Sequence, residues 1–350
     1  MRVIVIGSRG HLGSRIVHAL GRLNAVEVVC AGRTQRRPED RIVDLKRRST
    51  FSSLRDADVI VNATSSHAAN PDEIIDYALQ HGHTLIETSS DRNVISRALA
   101  LRGVTAHATG TVVLGAGIFT GLSNLLGAAA ISERPHCDRL ELAVRSSPFS
   151  GAGAGTVDLM LDSLRTPACR IVEGRPLLLS PISRGPDVRV GERALMSLIV
   201  SLGEPQMLHA SCGVPNISMV MLPKPAALAR AFLAIPAWML ASRAYRAWMR
   251  LQFTLLRRLL LRQRPTRVEL FARACDSSSG KFTSLKLGAD DGMWTAGVAV
   301  AAIARLLHDQ TLEPGVHCID ECLSLQAVIE RMRGIDGSCI QLRTEPSCSL

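Results

Sequence analysis

The chain has 350 residues, of which 47% are hydrophobic and 21% charged, and its formal net charge is +10. This length allows two domains with separate cores, and this composition is typical of globular rather than disordered proteins. The nine cysteines form no CxxC pair and no zinc-ligand spacing, so we expect reduced thiols and no bound metal. Because the first residues lead straight into a strand pattern rather than a signal peptide, we expect a cytoplasmic protein.

The first third of the chain alternates strand and helix patterns. The run Val3–Ile6 is typical of a strand buried on both faces, and apolar residues from Leu12 to Leu23 then recur at helical spacing. This alternation predicts a parallel, doubly wound sheet of the Rossmann α/β class over residues 1–125. Further strands are predicted at 26–32, 41–45, 58–64, 83–89 and 103–109, and helices near 71–82 and 95–103.

The pattern changes after residue 125. Residues 126–290 combine β-rich segments with a basic helical region, and residues 292–309 have the pattern of a buried helix. We therefore expect a second, α+β domain followed by a C-terminal helical segment.

The sequence GSRGHLG lies between the first predicted strand and the first predicted helix. A dinucleotide site needs a strand that delivers the chain, glycines that let the backbone approach pyrophosphate, and a helix N-terminus that faces the anion. All three occur here in that order, although a turn that only tolerates positive φ is the alternative. The residues predicted to bind the cofactor in this turn are Gly7, Ser8, Gly10, His11, Leu12 and Gly13.

The residues after the second predicted strand indicate which dinucleotide binds. NAD sites usually end this strand with Asp or Glu, but here Cys30-Ala31-Gly32 is followed by RTQRR. Guanidinium groups suit a 2′-phosphate, so NADP(H) is favoured over NAD(H), with Arg33, Thr34 and Arg36 as contacts. The alternative is that Arg36 and Arg37 belong to a solvated loop that does not contact the cofactor.

Two classes of nicotinamide enzyme are disfavoured by their side-chain requirements. Short-chain reductases need a Tyr-x-x-x-Lys pair, but the two tyrosines, Tyr77 and Tyr245, are followed four residues later by His81 and Met249. Semialdehyde dehydrogenases need an activated cysteine nucleophile, and no cysteine lies in a Ser-Asn-Cys context.

Several motifs, taken in chain order, resemble those of the saccharopine dehydrogenase-like oxidoreductases. They are GSRGHLG, DVIVNAT, HTLIETSSD, GAGIFTGLSNLL, GAGAGTVDLML, and TAGVAVAAIARLL followed by GV. The resemblance covers most of the chain and is densest in the first 125 residues. It implies a Rossmann domain, an inserted α+β substrate domain, residues 291–350 packed back on the first domain, and hydride transfer between NAD(P)H and a C=N or C=C bond.

The resemblance also assigns positions in the site. Gly7, Gly10 and Gly13 would hold the pyrophosphate. Asn62, Ala63 and Thr64 would lie along the cofactor near the nicotinamide. The loop and helix start closing over the cleft would be Gly115, Gly117, Gly121 and Asn124.

The chain departs from the family pattern at two places near the expected substrate cleft. Ser65-Ser66-His67 replaces a Gly/Pro/aromatic turn, and Thr120 replaces a proline. The substrate is therefore not carried over from the family. Together with the arginines after the second strand, the resemblance leads us to expect an NADP(H)-dependent oxidoreductase acting on a C=N, C=C or C=O bond of an unidentified small or lipid-like substrate. The alternatives are a non-catalytic NADP(H)-binding sensor and a membrane-associated interaction protein on the same fold.

Candidates for proton transfer are His67, Glu87 and Asp91, all near predicted carboxyl ends of strands. We assign the role to His67 and Asp91, and His67 is the most attractive because imidazole transfers protons near neutral pH. The alternatives are a solvated loop histidine, and helix caps or structural ligands of Ser89 and Ser90 for the two carboxylates.

The net charge is concentrated in one segment. Between Lys224 and Arg273 lie eleven basic residues and one acidic residue, and the other 30 basic and 30 acidic residues cancel. Within a predicted helix at about 238–264, the arginines share one arc and Trp and Leu residues fill the other side, as in an interfacial helix. The arginines on that arc are Arg243, Arg246, Arg250, Arg257 and Arg264.

Three interpretations of this basic helix stay open. It could attach peripherally to an anionic membrane surface, it could be a surface helix packed on its own domain, or it could bind an anionic substrate or partner. Pro236 and Arg230 interrupt the preceding apolar run, which argues against a membrane-spanning helix. Nucleic acid is not expected as a partner, since no recognition motif accompanies the charge. A small-molecule substrate and a homodimer are expected.

Overall fold

A computed structural model describes residues 1–66, 69–103, 107–147, 161, 163, 166–190, 192–236, 238–239, 242–260 and 267–344. The strands in chain order are β1 (Arg2–Ile6), β2 (Glu27–Gly32), β3 (Arg41–Ile42), β4 (Val59–Asn62), β5 (Thr84–Glu87), β6 (Thr111–Leu114), β7 (Arg139–Ser146), β8 (Ala168–Val172), β9 (Arg175–Leu179), β10 (Ser183–Arg184), β11 (Val188–Val190), β12 (Arg193–Leu195), β13 (Leu198–Ile199), β14 (Asn216–Pro223), β15 (Val268–Asp276), β16 (Lys281–Ala289), β17 (Gly315–Cys318) and β18 (Gln341–Thr344). The α-helices are α1 (His11–Leu20), α2 (Asp72–His81), α3 (Arg92–Ala100), α4 (Ser123–Ser132), α5 (Glu204–Cys212), α6 (Ala227–Leu233), α7 (Arg243–Leu260), α8 (Gly292–His308), α9 (Ile319–Cys322) and α10 (Leu325–Ile335). A 3₁₀ helix spans Arg48–Leu54, and an irregular helical turn, Ile118–Leu122, leads into α4.

The chain divides into two compact units. The first comprises Met1–Leu125 and Met293–Cys339. The second comprises Leu126–Gly292 together with β18. Apart from β18, the second unit is thus an insertion between the two parts of the first.

The first unit contains a seven-stranded, fully parallel sheet in the order β17-β6-β5-β4-β1-β2-β3. Its central strands are continuous apolar runs because helices cover both faces, and Val3, Ile60, Leu85 and Val112 are inaccessible or nearly so. This order is that of a Rossmann fold, in which the strand order reverses between β1 and β4 and a dinucleotide binds at the carboxyl edge. The predicted fold class is confirmed.

Helix α8 packs against α1 within the first unit. Its alanine-rich sequence is buried, and a Cβ added at Gly297 would lie 2.7 Å from the carbonyl carbon of Arg15, so the two helices meet at backbone distance. At the start of α8, the Trp294 indole N–H donates to the Asp336 carboxylate over 2.6 Å, and Arg22 stacks on its ring. These contacts bind the last part of the unit to its first helix.

The second unit is built on a nine-stranded mixed sheet. Its main path runs β10-β13-β14-β7-β15-β16-β18, and β8 and β9 form a hairpin beside β14. Only β7 and β14 are parallel neighbours along this path. Its hydrophobic core includes Ala143, Ala168, Val220 and Phe271.

Two sequence predictions about elements are wrong. The sixth strand was expected at 103–109, of which 104–106 lie outside the described residues. Strand β6 is instead Thr111–Leu114, because this four-residue run is buried whereas Gly103 turns the chain with a φ of +78°. The whole of 291–350 was expected on the first unit. Instead β18 pairs with β16 in the second sheet, where it satisfies the backbone groups of an edge strand.

Candidate dinucleotide-binding site

The turn between β1 and α1 requires each of its three glycines for a different reason. Gly7 has a φ of +77°, and a Cβ there would lie 3.0 Å from the Ala63 carbonyl group. A Cβ at Gly13 would lie 2.1 Å from the Gly7 carbonyl oxygen, so α1 approaches the turn as closely as backbone atoms allow. Gly10 is exposed, and among the described residues its added Cβ would meet only the Gly7 oxygen, at 3.1 Å. The outer surface of the turn therefore presents backbone rather than side chain to a ligand.

Helix α1 begins at this turn without a side-chain cap and without an acidic residue in its first turn. No carboxylate of this first turn therefore offsets the positive end of the helix dipole. The N-terminus of α1 favours binding of an anion. His11 and Leu12 form the half-exposed first residues of this helix. Ser8 is buried instead, and its hydroxyl donates to the Ala31 carbonyl over 3.2 Å, which ties the turn to β2.

The loop after β2 presents arginines to solvent. Arg33, Thr34 and Arg36 are exposed. The buried carboxylate of Asp40 accepts the amides of Arg36 and Arg37 over 3.1 and 3.0 Å, which closes the loop on itself. The sequence predicts that these arginines contact the cofactor. It does not indicate that the carboxylate of Asp40 fixes the conformation of their loop.

The same carboxylate connects this loop to the glycine-rich turn. Arg9, within GSRGHLG, forms an ion pair with Asp40. Burial opposes ionisation of Asp40, but the hydrogen bonds from Arg9 and the two backbone amides outweigh it, so its pKa lies below the usual value. Arg9 was not among the predicted residues, because only the fold brings position 9 beside position 40.

At the carboxyl ends of β4 and β5, Asn62 and Glu87 are paired neighbours and both are buried. The Asn62 amide donates to Glu87 over 2.6 Å, and the Ser89 backbone amide donates to the other Glu87 oxygen over 2.8 Å. Burial raises the pKa of Glu87 to about 7, although both hydrogen bonds favour the ionised form.

This pair fixes the loop that follows β4. The Asn62 oxygen accepts both the Thr64 hydroxyl over 2.7 Å and the Thr64 amide over 3.2 Å. The Ala63 backbone lies beside Gly7, as the added-Cβ distance shows. Asn62 therefore holds Ala63 and Thr64 next to the glycine-rich turn.

Of the proposed proton-transfer residues, Asp91 is described and His67 lies outside the described residues. Asp91 is partly exposed and is the N-cap of α3, where it accepts the Asn93 amide over 2.9 Å. Its second oxygen accepts the Ser66 hydroxyl over 3.1 Å, which joins the loops after β4 and β5. Asp91 thus has the helix-cap role that the sequence analysis considered as an alternative.

The glycine-rich segment after β6 contains a strained residue. Thr120 has a φ of +57° although it is β-branched and fully buried, a conformation costing about 1–3 kcal/mol. Its hydroxyl donates to the Phe119 carbonyl over 2.6 Å and lies 3.2 Å from the Ser90 hydroxyl. Strain of this kind is held by surrounding contacts, here those with the loop after β5.

The remaining residues assigned to this segment are also placed. Gly115 has a φ of +82°, and a Cβ on Gly121 would lie 3.0 Å from the Ala116 carbonyl carbon. Asn124, at the start of α4, is buried with no hydrogen-bond partner for its oxygen among the described residues. Gly117 precedes the irregular turn.

The second unit has a cluster of charges on its sheet. Glu269 on β15 is 8% exposed and is surrounded by Lys224 at 2.7 Å, Arg145 at 3.3 Å and Lys286 at 3.5 Å. Burial opposes ionisation of Glu269, but the hydrogen bond from Lys224 and the three positive charges lower its pKa. Glu269 is therefore a shared counter-charge for these three cations.

No protein-family model and no curated protein matches the chain in sequence. Solved structures do match it over nearly its whole length. Saccharopine dehydrogenase (L-Glu forming) from Saccharomyces cerevisiae aligns with a TM-score of 0.67 at 14% identity, over 98% of this chain and 99% of that chain. This chain has the saccharopine dehydrogenase-like fold. The fold that the motif resemblance implied is therefore confirmed.

Two further matches have lower scores. DAP dehydrogenase of C. glutamicum, in complex with DAP, aligns with a TM-score of 0.49 at 11% identity, over 94% of this chain and 95% of that chain. The WlbA dehydrogenase from Thermus thermophilus, in complex with NAD and α-ketoglutarate, aligns with a TM-score of 0.41 at 14% identity, over 96% and 93%.

Proposed function

We propose that this protein is an NADP(H)-dependent oxidoreductase. The observation that carries the proposal is the combination of a backbone turn shaped by Gly7 and Gly13 with the arginine-bearing loop that Asp40 closes beside it. The turn suits a pyrophosphate, because Gly13 lets α1 begin against the turn and the exposed Gly10 places no side chain over its backbone. NADPH supplies a hydride when bound.

The preference for NADP(H) over NAD(H) rests on Arg33 and Arg36. Both side chains are exposed and no ion pair engages them among the residues that the structure describes. A 2′-phosphate would give each guanidinium an anionic partner, in charge-assisted hydrogen bonds of about 1.5–3 kcal/mol each. The ribose hydroxyl of NADH offers no such partner.

Cofactor titration by fluorescence tests this preference. In Arg33→Gln with Arg36→Gln we expect NADPH to bind about a hundredfold more weakly while NADH binding changes little. Arg55→Gln, an exposed arginine of the same unit, is the matched control and should leave both affinities unchanged. If NADH and NADPH weaken equally in the double variant, the arginines do not select the 2′-phosphate.

We propose hydride transfer to or from a C=N, C=C or C=O bond of a small or lipid-like substrate. Arg145, Lys224 and Lys286 place positive charge around Glu269 on the sheet of the second unit, which supports a substrate that carries an acidic group. Purified protein should consume NADPH, followed by its near-ultraviolet absorbance, when supplied with an acidic imine, enone or ketone. Consumption only with uncharged compounds would contradict the acidic group, and consumption with none would contradict the activity.

We propose His67 and Asp91 as the proton-transfer residues. Asp91→Asn separates this role from capping, because asparagine caps helices as well as aspartate does. We expect normal melting temperature and NADPH binding but kcat at least about a hundredfold lower, since general acid–base catalysis contributes 10²–10⁴-fold. His67→Gln should behave likewise. Unchanged kcat in either variant would remove that residue from the mechanism.

We further propose that the protein is a cytoplasmic homodimer that attaches peripherally to the inner face of the membrane through residues 238–264. The concentration of the net charge in this segment supports the attachment. Sedimentation equilibrium without lipid tests the dimer, and a monomer at every accessible concentration would contradict it.

A further inference from the structure

Helix α7 is packed on one side and leaves large apolar side chains exposed on another. Phe253 is buried, and Tyr245 and Met249, eight and four residues before it, are half-buried, so these residues mark the packed side. Trp248 is 52% exposed, Leu251 55% and Leu255 39%, and their spacing of three and four residues places them on one face. The packing of α7 on its own unit therefore does not cover its apolar face.

These three residues, Trp248, Leu251 and Leu255, are called the α7 stripe. A soluble surface helix normally turns such residues inward and its polar residues outward. A contiguous exposed set of Trp and Leu residues instead marks an interaction surface. Just before α7, Trp238 is 73% exposed and adds a second exposed indole to the same segment.

Positive charge flanks the α7 stripe. Arg243 and Arg250 are exposed and lie two turns apart on one line of the helix, about a quarter-turn from Leu251. No acidic residue occurs between Lys224 and Glu269 in the sequence, so this segment has a high density of positive charge. Tryptophan and leucine beside arginine are the composition of helices that lie in the headgroup region of a bilayer, where indoles favour the interface and guanidinium groups meet lipid phosphates.

We infer that the α7 stripe is a docking face for an anionic lipid bilayer, with Trp248, Leu251 and Leu255 entering the headgroup region and Arg243 and Arg250 binding lipid phosphates. This deepens the membrane attachment proposed above by naming the face, and it does not depend on redox activity. The charge of the segment selects a negatively charged surface. Burial of the exposed apolar stripe in the bilayer interface adds a hydrophobic contribution to the binding free energy. No helix in the described part of the chain is both long and apolar enough to cross a membrane.

Vesicle cosedimentation of the full chain at low salt tests this inference. Vesicles of phosphatidylcholine mixed equally with phosphatidylglycerol should bind the protein, and vesicles of phosphatidylcholine alone should bind it at least about tenfold more weakly. Leu251→Ser with Leu255→Ser should weaken binding to the mixed vesicles by about tenfold or more, through the loss of buried apolar area. The matched control is Leu177→Ser with Leu178→Ser, which removes two comparably exposed leucines from β9 in the same unit.

A second arm tests the charges. Arg243→Gln with Arg250→Gln should reduce binding at low salt and lessen its sensitivity to added salt, whereas Arg175→Gln with Arg193→Gln, two exposed arginines elsewhere in this unit, should not. A blue shift of tryptophan fluorescence on adding mixed vesicles should disappear in Trp248→Phe with Trp238→Phe. Melting curves and NADPH titrations of every variant separate loss of docking from loss of folding or of cofactor binding.

Three results would overturn the inference. The first is that the protein does not bind the mixed vesicles at low salt. The second is that the leucine double variants of α7 and β9 lose vesicle binding equally. The third is that the protein binds charged and neutral vesicles equally. Dissociation of a dimer by Leu251→Ser with Leu255→Ser, in protein that ignores vesicles, would assign the stripe to contact between copies of this chain. If the wild-type protein binds vesicles but not NADPH, the proposed oxidoreductase function is contradicted and the membrane inference is not.

Discussion

Replacement of Gly13 by alanine should damage both the fold and the cofactor site. The new Cβ would lie 2.1 Å from the Gly7 carbonyl oxygen, 2.8 Å from the Gly7 carbonyl carbon and 2.9 Å from the Ser8 Cα. Since all three are backbone atoms, no side chain can rotate away. Helix α1 and the turn must separate by about 1 Å to restore ordinary contact, because protein interiors have no spare volume.

The size of the effect follows from two opposing terms. Overpacking against backbone costs up to about 3 kcal/mol, and alanine gains about 1 kcal/mol over glycine in the third position of the helix. The net loss is about 2 kcal/mol of unfolding free energy, which lowers the melting temperature by roughly 4–8 °C. The displaced turn should also bind NADPH at least about tenfold more weakly, since its amides no longer converge on the pyrophosphate.

Two sister variants separate these effects in calorimetry and NADPH titration. Gly10→Ala adds a Cβ near only the Gly7 oxygen, at 3.1 Å, so it should weaken cofactor binding with little change in melting temperature. Gly21→Ala, at the other end of α1, meets nothing nearer than 3.4 Å and should change neither. Gly13→Ala with wild-type melting temperature and NADPH affinity would refute the close approach of α1 to the turn.

Three further substitutions test buried charges. Burial raises the pKa of Glu87 to about 7 from 4.5, so the protonated carboxyl stabilises the folded protein at acid pH and this stabilisation is lost as pH rises through 7. Urea titrations should show that the unfolding free energy falls by about 3 kcal/mol between pH 4.5 and 7. This fall should be absent in Glu87→Gln. Asp40→Ala removes the acceptor of the Arg36 and Arg37 amides, and hydrogen exchange at both should accelerate roughly tenfold while other amides of the unit keep wild-type rates. Glu269→Gln leaves three neighbouring cations without their shared counter-charge and should lower the unfolding free energy by about 2 kcal/mol, much of it recovered by adding Lys224→Gln.

The glycine-rich turn could be predicted because its signals are local. A buried strand, three glycines and an amphipathic helix occupy the first twenty residues, and the structure keeps that order. The parallel sheet followed from the same kind of evidence, since strands buried on both faces are uninterrupted apolar runs. The conformation of each of these segments is determined by residues close to it in the sequence.

The residues that sequence reasoning missed depend on distant contacts. Arg9 and Asp40 meet only because β1 and β2 are neighbours, and Glu87 acquires its raised pKa from burial next to Asn62. The strand β18 joins β16 rather than the first unit for the same reason, since an edge strand accepts whichever segment the fold delivers. Periodicity likewise divides α7 into two faces but does not say that Trp248, Leu251 and Leu255 are exposed.

The division of the first unit into two stretches of sequence affects how the protein folds during synthesis. Strand β6 has no neighbour on its outer side until β17 is made about two hundred residues later, and Arg102 waits equally long for Glu321. During synthesis the first part of this unit therefore emerges from the ribosome with an open sheet edge, and most of the inserted unit is made before that edge closes. Closing so distant a contact is slow, and the open edge is exposed to pairing with other chains in the meantime.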